Sequence, residues 1–396
     1  MATEAKASRH AMPTVLMVVT EDWYFISHRL DLACHIRDAG FRVVVATRVG
    51  AHEPTIIAAG LEFVRIPFER SLRHPVRDLQ ALVALNRAIA QLEPDIVHLV
   101  SLKPILLGAI ALARRRHRAP AVWAFTGMGY LFSSNGFVAR VMRPLVSGAL
   151  KHLNQGSRCA MMVQNDADAA LLHELGIALP AHTTIVPGSG LAMDKFSPAS
   201  GAPEGPSIVL MPARLLRDKG IYEFAAAARL VHQQHPHVRF VLAGRFDRDN
   251  HGAVANQDLQ TWIDEDLLEW WGHREDMLEV YRLASIVCLP SYREGLPRVL
   301  LEAGACAKPL VATDVPGCRD VCVDGKTGLR VPVCDSAALA TAISTLLSDP
   351  AYAHALGLAA RELVRERFTI ESIGEQTIAM YRDLLVRAAQ SDGLSR

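Results

Sequence analysis

The chain alternates short, unbroken apolar runs with longer stretches of helical periodicity. Residues 15 to 20, VLMVVT, predict a buried strand. Leu30, Ala33, Cys34 and Ile36 then recur at helical spacing and close at Gly40, and VVVAT over 43 to 47 predicts a second strand. The alternation repeats with strands over 62–67, 96–100, 121–125, 159–164 and 184–187, and helices over 77–92, 104–115, 137–152 and 166–175. Strands apolar on both faces and separated by helices form a parallel sheet covered on both sides. The pattern therefore predicts a Rossmann-like domain over 14–190.

Residues 188 to 206, GSGLAMDKFSPASGAPEGP, lose this periodicity and are rich in Gly, Pro, Ser and Ala, so 191–206 reads as an interdomain linker. The alternation restarts with strands over 207–213, 239–244, 286–289, 309–313 and 328–332 and helices over 220–234, 256–268 and 275–283; EWWGH from Glu269 reads as a strand or turn. Asp335 is placed to cap a helix over 336–347, and Asp349-Pro350 opens another. A second α/β domain over 207–369 follows. The amphipathic run from Ile370 to Ala389 comes after that second sheet is complete.

Composition narrows the reading. The length of 396 residues, half of them hydrophobic, suits two packed domains. A net charge of +1 gives nucleic-acid binding no support. Seven cysteines, an odd number, are scattered along the chain. Cys318 and Cys322 are spaced C-x3-C with no second pair beside them, so buried or free thiols are expected rather than zinc, as suits a reducing cytoplasm. Residues 1–13 have no apolar signal core and are expected to be disordered, and no apolar run is long enough to span a bilayer.

Candidate chemistry concentrates in SIVCLPSYREGLPRVLLEAGACA, from Ser285 to Ala307. An apolar strand ends at Pro290, a loop carries Glu294 and Gly295, and Leu296, Val299, Leu300 and Ala303 mark one face of a helix expected to begin at Pro297. On a continuous helix Glu294 and Glu302 would lie about 12 Å apart along the axis. Between them is a helix start, whose unpaired N–H groups and positive dipole end suit a phosphate. Two acids flanking an anion seat match a ligand with hydroxyls at both ends and phosphate in the middle. A nucleoside diphosphate sugar has that layout. In PARLLRDKG, Arg214 and Lys219 follow the first strand of the second domain, where a guanidinium fork and an ammonium can bracket a diphosphate.

With these residues in view, EGLPRVLLE resembles the E-x7-E element of retaining glycosyltransferases of the GT-B type, family 4, and Arg214 to Gly220 matches that family's R-x4-K-G. The resemblance covers nearly the whole chain and is densest from 207 to 333. It implies two Rossmann-like domains facing across a cleft, with the C-terminal helix returning to the first domain. It assigns diphosphate neutralisation to Arg214 and Lys219, the transferred sugar to Glu294, the ribose to Glu302, phosphate or sugar contacts to Gly295, Leu296 and Pro297, and the base to the neighbourhood of Gly244-Arg245 and His273-Arg274. No metal or other cofactor is implied, because the cations take the metal's electrostatic role. Asp247-Arg248-Asp249 matches D-x-D only in letters.

The first domain departs from the family pattern. Glu21-Asp22-Trp23-Tyr24-Phe25 stands where many relatives have a glycine-rich loop, and Ala124 to Gly129 lacks the histidine they carry after the fifth strand. His98, within IVHLV, reads as a packed strand histidine. Acceptor contacts are expected from His28 and Arg29, read as opening the first helix, and from Lys103, Thr126 and Gly127. Trp23-Tyr24-Phe25, Met128 to Phe132, and Phe137 with Val138, Val141, Met142 and Leu145 form an apolar set mixed with Arg140 and Arg143, and Arg114 to Arg118 add a basic cluster. Together they suit an anionic membrane surface, with core aromatics beside a solvated charged turn as the alternative.

Within the family, VTEDWYFISHRLDLA and TGMGYLF are similar to bacterial enzymes that extend undecaprenyl diphosphate-linked sugars, including N-acetylgalactosaminyltransferases acting on a diacetylbacillosamine carrier. The resemblance implies transfer of a hexosyl or N-acetylhexosaminyl group from a UDP-sugar to a lipid-linked sugar at the inner membrane face. Two alternatives stay open: a sugar-nucleotide epimerase of the same fold, and a catalytically inactive nucleotide-sugar-binding protein.

Overall fold

The computed structural model describes residues 12–48, 50–69, 74–113, 119–127, 137–154, 156–199, 201, 205–246 and 252–394, with the side chains of 137–139 and 392–394 outside that description. The basic cluster Arg114 to Arg118, the turn Met128 to Phe132, Asp247-Arg248-Asp249 and residues 1–11 lie outside the described residues. The chain forms two compact units: Met1–Gly190 with Ile370–Arg396, and Leu191–Thr369.

The first unit contains β1 (Thr14–Val18), α1 (Asp22–His28), α2 (Leu30–Asp38), β2 (Arg42–Thr47), α3 (Glu53–Ala58), β3 (Glu62–Arg65), α4 (Pro75–Leu92), β4 (Ile96–Val100), α5 (Leu102–Ala113), β5 (Ala121–Ala124), α6 (Phe137–Leu153), β6 (Cys159–Val163), α7 (Asp166–Glu174) and β7 (Thr183–Ile185). Its parallel sheet has the order β3-β2-β1-β4-β5-β6-β7. Successive residues of β1 face opposite sides: Leu16 and Val18 enter one core, Val15 and Met17 the other. Both sides are covered, which is why these strands are apolar throughout.

The second unit contains β8 (Ile208–Pro212), α8 (Ile221–His232), β9 (Arg239–Ala243), α9 (Asn256–Asp264), β10 (Glu269–Trp270), α10 (Met277–Leu283), β11 (Ile286–Leu289), α11 (Arg298–Ala305), β12 (Leu310–Thr313), α12 (Pro316–Arg319), β13 (Gly328–Val331), α13 (Ser336–Ser348) and α14 (Pro350–Arg367). The order β10-β9-β8-β11-β12-β13 repeats the plan of the first sheet. In both, chain order reverses beside the first strand, and a Rossmann sheet opens its ligand crevice at that switch point, beyond the carboxyl ends of the strands. In the second unit the switch lies between β8 and β11, which pair through Ile286 with Val209 and Val287 with Leu210.

The last helix, α15 (Ile370–Leu394), belongs to the first unit, as the resemblance implied. Its Tyr381 is fully buried against Phe41 and hydrogen-bonds His98 Nδ1 across 283 positions of sequence. Part of the expected linker is instead structural. Leu191 and Phe196 are buried in the second core, and Leu191 N donates to Phe368 O at 2.8 Å. Two large apolar residues in a stretch otherwise poor in them were the signal against free linker chain.

Candidate nucleotide-sugar site

The site residues of the second unit hang from its switch point. After β8 the chain turns through Arg217–Lys219 and reaches Gly220 at φ 79°, the left-handed region that glycine enters without strain. A Cβ on Gly220 would fall 2.1 Å from the Pro290 carbonyl oxygen, so the turn lies directly against the end of β11. Tyr292 N donates to Asp218 O at 2.9 Å and joins the two loops. Their side chains then meet: Lys219 Nζ lies 2.6 Å from Glu294 Oε1, both largely shielded from solvent.

A second close approach fixes the loop from the far side. A Cβ on Gly317, in α12, would fall 2.1 Å from Gly295 O, so the helix packs against the Glu294-Gly295 backbone. The stretch VPGCRDV, which follows β12, thereby buttresses the site. Cys318 beside it is fully buried; burial pushes its thiol well above the usual range, Glu294 adds to that, and Lys219 opposes it. All seven cysteines are free thiols, five of them buried.

The helix begins one residue later than the sequence pattern predicted. Pro297 is the N-cap, at φ −75° and ψ 105°, and α11 starts at Arg298. Pro297 offers no side-chain acceptor to the first-turn N–H groups, and the backbone turns through Glu294 to Leu296. The spacing estimated for a continuous helix therefore does not apply to the two glutamates.

Glu302 is only 8% exposed. Its Oε1 accepts from Arg298 Nε at 2.7 Å and its Oε2 from the Tyr281 hydroxyl at 2.9 Å. Neither partner was singled out from the sequence. Arg298 stands four residues before Glu302, the spacing of a helical ion pair, and could have been read. Tyr281 reads as an apolar-face residue of α10, and only the rule that a buried tyrosine hydroxyl needs a partner pointed further.

Arg214 is exposed in the turn after β8, and Leu216 N donates to its carbonyl at 2.7 Å. Gly244 lies alongside: a Cβ there would fall 1.8 Å from Ala213 O, and Gly244 N donates to Gly272 O at 2.8 Å. Trp270 Nε1 donates to Gly244 O at 3.0 Å, and its ring meets Phe246 edge-on at 6.1 Å. His273 follows Gly272 and is exposed, while Arg274 is engaged by Asp276.

In the first unit the geometry differs from expectation. His28 ends α1 instead of opening a helix, at the terminus whose dipole repels anions; its ring stacks on Tyr24 at 4.4 Å. Asp22 takes the acidic start of that helix and binds His52 N at 3.0 Å. Arg29 lies between α1 and α2, only 2% exposed. Lys103 Nζ is held by Asp78 Oδ1 at 2.7 Å and Glu69 O at 2.5 Å. Thr126 Oγ1 lies 2.9 Å from Ser101 Oγ, beside Gly127 at φ 107°. His98 is a packed strand histidine: burial and Arg29 push it down to about 3.

The family described as glycosyl transferases group 1 matches residues 192–363, and the family glycosyl transferase 4-like matches 14–155. The chain belongs to the GT-B glycosyltransferases of these two families. It is 25% identical over 346 residues to N,N'-diacetylbacillosaminyl-diphospho-undecaprenol alpha-1,3-N-acetylgalactosaminyltransferase of Campylobacter jejuni, covering 82% of this chain and 89% of that one. It is 26% identical over 382 residues to EpsD of Bacillus subtilis, covering 91% and 95%. Among solved structures, sucrose-phosphate synthase from Thermosynechococcus elongatus superposes with a TM-score of 0.79 at 22% identity, over 94% of this chain and 99% of that one. Anabaena Alr3699/HepE in complex with UDP and glucose superposes with a TM-score of 0.72 at 19% identity, over 92% and 98%. These two likenesses concern the fold.

Proposed function

We propose that this glycosyltransferase moves a hexosyl or N-acetylhexosaminyl group from a UDP-sugar to a polyprenyl diphosphate-linked sugar, with retention at the anomeric carbon, in the assembly of a surface polysaccharide or glycan. The observation that carries the donor half is the contact of Lys219 Nζ with Glu294 Oε1, 2.6 Å apart at the switch point and beside the start of α11. With no donor bound, the cation and the carboxylate neutralise each other. With a nucleotide sugar bound, Lys219 turns to a diphosphate oxygen and Glu294 accepts from a hydroxyl of the transferred sugar, so neither charge is left unpaired in a shielded site.

In the reaction the bond from the anomeric carbon to the diphosphate oxygen breaks, and a bond from the acceptor oxygen forms on the same face. The acceptor proton passes to the departing diphosphate. Negative charge grows on that diphosphate, and Lys219, Arg214 and the uncapped N–H groups of α11 stabilise it where it develops. This scheme asks no metal of the protein. Glu302 holds the ribose, and Gly244 and His273 border the base.

Support for a lipid-linked acceptor comes from the Campylobacter relative and from α6. That helix, FVARVMRPLVSGALKHL, has no acidic residue, and Val141, Met142 and Leu145 are 48%, 40% and 63% exposed beside Arg140 and Arg143. Exposed apolar residues mixed with arginine suit the headgroup layer of an anionic membrane. Among the described residues no helix is long and apolar enough to cross a membrane. The reading places the enzyme on the cytoplasmic face, with Lys103, Thr126 and Gly127 as the acceptor-side candidates, while His28, at a helix C-terminus, and the buried Arg29 lose that role.

A thermal-shift panel of nucleotide sugars, followed by assay of the best donor with and without polyprenyl diphosphate sugars, tests the proposal. Acceptor-dependent transfer with an α-linked product from an α-donor is expected. Conversion of the donor without acceptor would identify an epimerase instead, and binding without turnover an inactive sensor.

A further inference from the structure

Glu302 is held in an unequal way by its two partners. Arg298 reaches Oε1 from one helical turn away with its side chain 21% exposed, so a ligand can displace or share it. Tyr281 reaches Oε2 from α10 with no exposure at all, its ring edge-on to Phe196 at 6.3 Å, and has no other place to go. Burial, and then Glu302, raise the Tyr281 hydroxyl well above its ordinary range, so it keeps its proton and serves as a donor at neutral pH. An ionised carboxylate offers about four lone-pair positions. Tyr281 occupies one on Oε2 and Arg298 one on Oε1, which leaves one on each oxygen. That remainder fits two neighbouring hydroxyls.

We infer that Tyr281 is a positioning residue for donor recognition: it locks the Glu302 carboxylate in the orientation that accepts both hydroxyls of a vicinal diol. The inference rests on the reading of Glu302 as the ribose-binding carboxylate, and it names the part of the donor at which Tyr281 acts. Tyr281 touches no substrate. Without its hydroxyl, Oε2 loses its buried donor and the carboxylate is free to swing toward Arg298, so one diol contact is lost while the phosphate contacts persist.

The test is calorimetric titration of UDP and of 2′,3′-dideoxy-UDP into the wild type, Tyr281→Phe, Glu302→Gln and the double variant, with thermal midpoints measured alongside. The wild type is expected to prefer UDP by about tenfold or more, as two hydrogen bonds to a charged group allow. Tyr281→Phe should cut that preference to about threefold by weakening UDP and leaving the dideoxy compound unchanged. In the Glu302→Gln background it should have no further effect on the ratio. A merely structural tyrosine would lower the midpoint and leave the ratio at its wild-type value, and that result overturns the inference. If Tyr281→Phe does not fold, Tyr281→Met is read for the same ratio. A wild type that binds both compounds equally would instead remove the ribose role of Glu302, which separates failure of the site reading from failure of the role given to Tyr281.

Discussion

Gly220 and Pro290 meet backbone to backbone, so closely that a Cβ on Gly220 would fall 2.1 Å from the Pro290 carbonyl oxygen. Seventy positions apart in sequence, they close the turn that carries Lys219 onto the loop that carries Glu294. Gly220 also sits at φ 79°, where a side chain is strained. Gly220→Ala is therefore expected to cost about 1–3 kcal/mol of stability and to displace Lys219 from Glu294. Turnover should fall by more than the stability loss explains, measured below the melting transition; wild-type turnover in a folded variant would show that this close approach does not set the site.

His98 gives the first unit a pH dependence. Its folded value lies at about 3, below the unfolded reference of 6.5, because burial disfavours the charged ring. Below pH 6.5 the unfolded chain binds a proton that the folded chain refuses, so stability falls as pH drops from 6.5 toward 3. The slope approaches about 1.4 kcal/mol per pH unit for this one group. His98→Asn should flatten the dependence of the urea midpoint across that window, whatever its cost at pH 8. An unchanged slope would show that other groups govern acid unfolding.

The exposed apolar residues of α6 make the membrane reading measurable. Leu145, 63% exposed, adds nothing to the core, so Leu145→Glu should leave the unfolding free energy within about 1 kcal/mol of wild type. Co-sedimentation with phosphatidylglycerol vesicles should fall several-fold, and Arg140→Glu should act in the same direction. Equal sedimentation of wild type and both variants would detach α6 from any membrane role.

Much of this was readable from residue order alone, for physical reasons. Buried parallel strands must be apolar on both faces, so VLMVV and SIVCLP announced themselves, and the restart at Ser207 marked the second sheet. Lys219 and Glu294 were legible because each follows a strand at a short, fixed distance, and the switch point brings those two strand ends together. Contacts between distant segments were not legible. Nothing in the sequence pairs Tyr281 with Glu302, since that bond depends on how α10 and α11 pack, and nothing places Gly317 against Gly295. The start of α11 is ambiguous by one residue in the sequence because proline fits both the cap and the first turn. The place of His28 at a helix end is hidden in the sequence because the break at Arg29, at φ −127° and ψ −15°, has no glycine or proline to signal it.

In the proposed site Lys219 and Glu294 hold the diphosphate and sugar of one nucleotide-sugar ligand. Single-turnover transfer from the best UDP-sugar by Lys219→Ala tests it most directly, with folding checked by circular dichroism. Loss of the main cation at the leaving group is expected to slow transfer by about 10²–10³-fold while the fold is kept. A folded Lys219→Ala enzyme that transfers sugar at the wild-type rate would contradict the account.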